Sequence, residues 1–158
     1  MSGRPTFDKA KEKILRYCAY QERCHSEVRD KLYELGMDED DAGELITFLI
    51  SEGFLNEERF ARTFARGKFR LKKWGRIRIK HELESRQVSR NCIRYGLSEI
   101  EDDEYQQTLE QILLSKAESL QEENVFVLRD KVSKYAIYKG FEPDLVWAKL
   151  RVLFPDQR

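Results

Sequence analysis

The sequence predicts an all-α fold of tandem three-helix repeats, about three units forming an elongated, curved helical bar. Three observations predict it. Lys, Glu, Leu and Arg dominate, with only three Pro and eight Gly in 158 residues, a composition that favours helix. Apolar residues recur at helical spacing through most of the chain. One pattern of helix start also returns twice, from Met37 to Val88 and from Val88 to Phe141, at intervals of 51 and 53 residues.

The recurring start is a hydrophobic staple. Met37-Asp38, Val88-Ser89 and Phe141-Glu142 each set an apolar residue before an N-cap. Four residues after each cap stand Ala42, Ile93 and Val146, the partner position of the staple. Asp38 and Ser89 are strong caps. Glu142 is a weaker one, followed by Pro143 at the first helical position, where a missing N–H is harmless. Upstream of each start lies a short amphipathic segment ending in a turn. Val28 and Leu32 precede Leu35-Gly36, Ile79 and Leu83 precede Arg86-Gln87, and Val132 and Ala136 precede Lys139-Gly140. Gly36 and Gly140 suit a left-handed position after a helix, which Gln87 adopts less comfortably. Longer apolar-periodic stretches come before these, over 14–20, 60–71 and 109–120.

The expected organisation is a flexible N-terminus over 1–7, three-helix units over 8–54, 55–102 and 103–154, and a tail over 155–158. Each unit is too small to bury much apolar surface alone, so stacking on neighbours should supply much of the stability.

Composition excludes several classes of function. No apolar run approaches the ~20 residues of a membrane span, and no signal-peptide core opens the chain, so a cytoplasmic protein without membrane contact is expected. Cys18, Cys24 and Cys92 are an odd count without a C-x-x-C pair, which argues against a disulfide framework and a structural zinc site. Cys24 and His25 are neighbours in sequence and point about 100° apart on a helix, a poor nucleophile–base pair. No phosphate-binding glycine loop, dinucleotide turn or paired-carboxylate site is present. The expectation is no catalysis, no metal and no cofactor.

Charge is where the chain is distinctive. It has 29 basic and 29 acidic residues, yet Arg59 to Lys80 holds ten Lys or Arg and no acid. Glu34 to Glu58 holds nine acids and no Lys or Arg, and Glu99 to Glu123 nine acids against one Lys. Fields act locally and are screened beyond ~10 Å, so segregation says more about a binding surface than net charge does.

Asn56 caps the helix that carries the basic run, with Leu55 and Phe60 in staple positions and Glu57 and Glu58 in the first turn, where the helix dipole favours acid. Phe60, Phe64, Gly67 and Leu71 recur as a core stripe, and Arg59, Arg62, Arg66, Arg70 and Lys73 as a basic stripe on another face. Arg59 has Glu58 or Glu52 within reach. Trp74-Gly75 re-aims the chain into a helix from about Arg76 that buries Ile79 and Leu83 and shows Arg76 and Lys80 one turn apart. The candidate contact residues are therefore Arg59, Arg62, Arg66, Arg70, Lys72, Lys73, Trp74, Arg76 and Lys80. Such a ridge fits nucleic-acid phosphates, with Trp74 available for stacking, or an acidic protein surface, or this chain's own acidic stretches. Sequence physics leaves the three open.

The run Gly53 to Val88 resembles the signature of the RecX family of recombinase regulators. The resemblance lies in Phe54-Leu55-Asn56, Arg59-Phe60-Ala61, the basic stretch closed by Gly75, and Arg76-Ile77-Arg78 followed by Glu82-Leu83 and a short turn. Gln87 stands where the family usually has Gly. The resemblance implies tandem three-helix repeats and a non-enzymatic inhibitor of RecA, lying in the groove of the RecA–DNA filament. It also implies a monomer with some affinity for single- and double-stranded DNA, and a place in DNA repair, homologous recombination and the SOS response. A directly DNA-binding, helix-turn-helix-like module is the alternative.

Overall fold

The computed structural model describes the backbone from Gly3 to Asp156 and side chains from Thr6 on. Among the described residues there are nine α-helices and no strand. They fall into three consecutive trios. The first is α1 (Gly3–Tyr20), α2 (His25–Glu34) and α3 (Glu39–Ser51). The second is α4 (Glu57–Lys72), α5 (Arg76–Ser85) and α6 (Arg90–Leu97), and the third α7 (Asp102–Leu120), α8 (Val125–Tyr138) and α9 (Pro143–Leu153).

Local chemistry sets the ends. The Asp38 carboxylate accepts from the Asp41 N–H at 2.8 Å, and the Ser89 hydroxyl accepts from the Cys92 N–H at 3.2 Å. Glu142 makes no side-chain cap, and Pro143 opens α9 in its place. The staples are buried on both sides: Met37, Val88 and Phe141 before the caps, Ala42, Ile93 and Val146 after them. The turns that precede them share one conformation, with φ of +91° at Gly36, +61° at Gln87 and +103° at Gly140. Glutamine accepts that strain where glycine would not feel it. Truncating the middle cap, Ser89→Ala, should lower stability by about 1 kcal/mol, read as a lower denaturation midpoint. An unchanged midpoint would mean that the bond at the start of α6 contributes nothing.

By its contacts the chain forms two compact units that cut across the trios. One runs up to Phe64 and takes up Leu83–Gly96, and the other comprises Ala65–Glu82 with the chain from Leu97 on. In the first, α1, α2 and α3 pack on one another around Ile14, Val28, Leu32, Leu45 and Leu49. In the second, α7, α8 and α9 do the same, and Tyr105, Leu109, Leu113, Phe141 and Leu150 are fully buried.

Within the expected N-terminal lead of 1–7, α1 begins at Gly3, and Phe7 is buried in the first unit's core. Met1 and Ser2 lie outside the described residues, as do Gln157 and Arg158. The core stripe of α4 is not the expected one. Phe60 is buried, but its companions are Ala61, Ala65 and Phe69, while Phe64 is half-buried and Leu71 is 84% exposed. The reason is close packing. A Cβ on Gly96 of α6 would lie 2.6 Å from the Ala61 carbonyl oxygen, so α4 must turn a small residue toward α6 there.

Candidate partner-binding site

The nine candidate residues fall in both compact units. In the first, the Asn56 side chain caps α4 by accepting from the Arg59 N–H at 2.9 Å. The Arg59 side chain is tied internally, donating to Glu22 at 2.7 Å and to the Gly53 carbonyl at 3.0 Å, and not to Glu58 or Glu52. Glu58 instead takes Arg62, at 3.0 Å one turn along α4, and the Arg62 guanidinium lies 5.3 Å from the Tyr95 ring. Cys24 is buried beside the hydroxyl of Ser26, and His25 lies 3.9 Å from Glu57. Burial pushes the Cys18 thiol up to about 11 and raises that of Cys24 as well, so neither is a ready nucleophile.

In the second unit the acidic stretch that follows the basic run returns to it. Arg66 donates to Glu99 at 2.6 Å, and Arg70 lies 3.7 Å from Glu104. Arg76 is the most committed of the candidates. Its guanidinium donates to Asp102 at 3.1 Å and Glu142 at 3.2 Å, and lies 3.8 Å from the centre of the Tyr105 ring. The Tyr105 hydroxyl donates to Glu142 and accepts from the Arg76 backbone N–H at 3.0 Å. Burial first, then the bond to Glu142, raises the Tyr105 pKa, so the phenol stays protonated. Arg76 thus ties the start of α5 to α7 and to the residue before α9.

The start of α5 docks backbone to backbone on the turn between α8 and α9. The Gly75 N–H donates to the Lys139 carbonyl at 2.8 Å, and the Ile77 N–H to the Gly140 carbonyl at 3.0 Å. With Tyr105 taking the N–H of Arg76, three amide donors at a helix start are satisfied from outside the helix. The approach requires two glycines. A Cβ on Gly75 would meet the Gly140 carbonyl carbon at 2.2 Å, and one on Gly140 would meet the Arg78 Cβ at 2.4 Å.

At this junction, and at Lys80 further along α5, stand cations that carry no counter-charge. Lys72, Lys73, Arg78, Lys80 and Lys139 form no ion pair among the described residues. Lys73 closes α4 in the left-handed region, φ +57°. The Lys139 ammonium donates to the Lys72 carbonyl at 2.9 Å. Burial, and after it the charges of Arg78 and Lys73, lower its pKa. Trp74 is half-buried, with the Arg78 guanidinium 4.2 Å and the Lys68 ammonium 5.0 Å from its ring, so it packs under cations. Tyr138, whose ring centre is 5.4 Å from the Arg78 guanidinium, is 75% exposed.

Sequence reasoning singled out Lys72, Lys73 and Trp74, which stand at this junction, and Lys80 further along α5, but not Lys139 or Tyr138. The one available signal was Lys139-Gly140, read as a helix-ending turn. Nothing in the sequence said that Gly75 would meet it.

Residues 10–49 match the family model described as RecX, first three-helix domain, and residues 56–97 match the one described as RecX, second three-helix domain. The chain belongs to the RecX family. Regulatory protein RecX of Clostridium perfringens strain 13 is 31% identical over 140 residues, covering 87% of this chain and 65% of the relative. The RecX of Clostridioides difficile strain 630 is 26% identical over 138 residues, with the same coverage. The chain thus spans just under two thirds of the length of these relatives, whereas the RecX of Salmonella paratyphi A is matched over 90% of both chains at 26% identity. The crystal structure of RecX from Lactobacillus salivarius superposes with a TM-score of 0.85 at 23% identity, over 94% of this chain and 97% of that one. At that identity the likeness shows the RecX fold. Among the described residues no helix is long and apolar enough to cross a membrane, and no group of three or more His, Cys, Asp or Glu could hold a metal ion.

Proposed function

We propose that this chain is a non-enzymatic regulator of the RecA recombinase, binding the RecA–DNA filament and restraining its recombinase, ATPase and co-protease activities. The observation that carries this reading is the family match over both three-helix domains, the basic second one included, with relatives named as regulatory proteins. In this reading the filament meets the cations whose charge is unclaimed, Lys72, Lys73 and Lys80. Arg66 and Arg70 join them, because exposed ion pairs contribute only about 0–1 kcal/mol and exchange readily for a partner's carboxylate or phosphate. Arg62 is available on the same terms, while Arg59 and Arg76 are structural. The protein works in the cytoplasm as a monomer, within recombination and the SOS response.

A direct DNA-binding module acting by competition for single or double strands is the second reading. Lys72 and Lys73, which directly precede Trp74 and form no ion pair among the described residues, favour it. Titrating RecA's ATP hydrolysis on excess single-stranded DNA separates the two. A filament regulator should inhibit well below one copy per RecA while binding bare DNA weakly. Inhibition only once this protein saturates the DNA would sink the first reading and favour the second.

A further inference from the structure

In the second compact unit, α7, α8 and the link between α4 and α5 line a groove of about 480 Å³. Three elements distant in sequence bring one lysine each: Lys73 from the α4–α5 link, Lys116 from α7 and Lys139 from the α8–α9 turn. Ser115 adds a hydroxyl, Tyr135 forms part of the wall, and no carboxylate lines the groove. The ammonium groups of Lys116 and Lys139 lie 4.7 Å and 5.8 Å from the centre of the one Tyr135 ring. None of the three lysines forms an ion pair among the described residues.

The contrast with α4 gives this meaning. Arg59, Arg62, Arg66 and Arg70 each have a carboxylate of this chain beside them. The groove collects three lysines with no carboxylate in its lining, although α7 itself is rich in acid. Like charges brought together without a counter-charge repel, and a concave wall focuses their field on whatever enters.

We propose that this groove is a phosphate-binding site, taking a ligand with two or more adjacent phosphate groups. Ammoniums brought to one groove from three elements suit a run of phosphates. Ser115 supplies a neutral donor, and the ring of Tyr135 lies beside two of the lysines. The volume falls within the range of ordinary ligand sites. The groove is independent of the recombinase reading, because binding is tested without RecA. A run of phosphates has two sources, the backbone of a single-stranded nucleic acid or a free polyphosphate.

The test is the double variant K73Q/K116Q. Glutamine already stands in the left-handed conformation at Gln87 and Gln121, so it fits the φ of Lys73, and the Lys116 ammonium, though 4.7 Å from the Tyr135 ring centre, forms no ion pair among the described residues. An unchanged melting midpoint certifies the fold. Inorganic tripolyphosphate is titrated by calorimetry, and a fluorescent single-stranded oligo-dT by anisotropy, each against sulfate at matched ionic strength. Binding of either probe should weaken about tenfold or more in the double variant. For the strand, the slope of log K against log salt should fall by about 1.4, one phosphate contact for each lysine removed. K134Q/K149Q, the same loss of charge elsewhere in the unit, should stay within about twofold. Strand binding that tripolyphosphate does not displace identifies nucleic acid as the source, and tripolyphosphate binding alone identifies the free anion. Equal binding by the wild type and K73Q/K116Q, or no binding above sulfate for either probe, overturns the proposal.

Discussion

Replacing Gly75 by alanine is expected to destabilise the protein by about 3 kcal/mol or more, lowering the thermal midpoint by about 6–12 °C. The added methyl would sit 2.2 Å from the Gly140 carbonyl carbon and 2.3 Å from both the Gly140 oxygen and the Phe141 nitrogen. All three are backbone atoms, so no side chain can swing aside. The two segments cannot part cheaply either, since the bonds from Gly75 and Ile77 to Lys139 and Gly140 would break with them. Each lost bond leaves a helix-start donor without its partner. The same change elsewhere has the opposite sign. A Cβ on Gly67, within α4, has open space for 4 Å around it. Gly67→Ala should therefore raise stability by about 0.5–1 kcal/mol, the ordinary gain of alanine in a helix. Circular-dichroism melts of both variants check the pair. A Gly75→Ala protein melting with the wild type would refute the backbone junction.

Helix content, the three staples and their spacing were legible because each depends on a few adjacent residues. The packing face of α4 was not. Phe60, Phe64, Gly67 and Leu71 and the set Phe60, Ala61, Ala65, Phe69 both fit a helical period, and side-chain size favours the first set. What decides between them is the approach of Gly96 to Ala61, a contact across 35 positions that favours a small residue at that point of α4. The basic stripe was legible as a stripe, and its partners were not. That Arg66 meets Glu99 and Arg70 meets Glu104 follows from where α7 lies along α4, which no local pattern encodes. These pairings change the meaning of charge reversal there. Glutamate at 66 and 70 would face Glu99 and Glu104, so such a variant tests the fold together with the partner surface. Neutral substitution of Lys72 and Lys73 disturbs no ion pair and isolates the surface.

The second large effect belongs to Phe141→Ala, with an expected loss of about 4 kcal/mol. Phe141 occupies the staple position that Met37 and Val88 fill in the other trios, and at 0% exposure it is the most deeply buried of the three. The repeat therefore supplies its own graded series. Truncation to alanine should cost about 2 kcal/mol at Val88, somewhat more at Met37, and most at Phe141, in order of the volume removed. Phe141 should also exceed what volume alone predicts. Its ring centre lies 5.0 Å from that of Tyr105, which in turn lies 5.8 Å from Phe69, so three aromatic rings from α4, α7 and the start of α9 form one row. Emptying one end of the row frees Tyr105, whose hydroxyl holds both Glu142 and the N–H of Arg76. The damage would then spread from an apolar cavity to a polar network that fixes the start of α5, and with it the link bearing Lys72 and Lys73. Urea midpoints of the three truncations read this directly. A Phe141→Ala chain that unfolds at the same denaturant concentration as Val88→Ala would show that the aromatic row carries no more than its own volume.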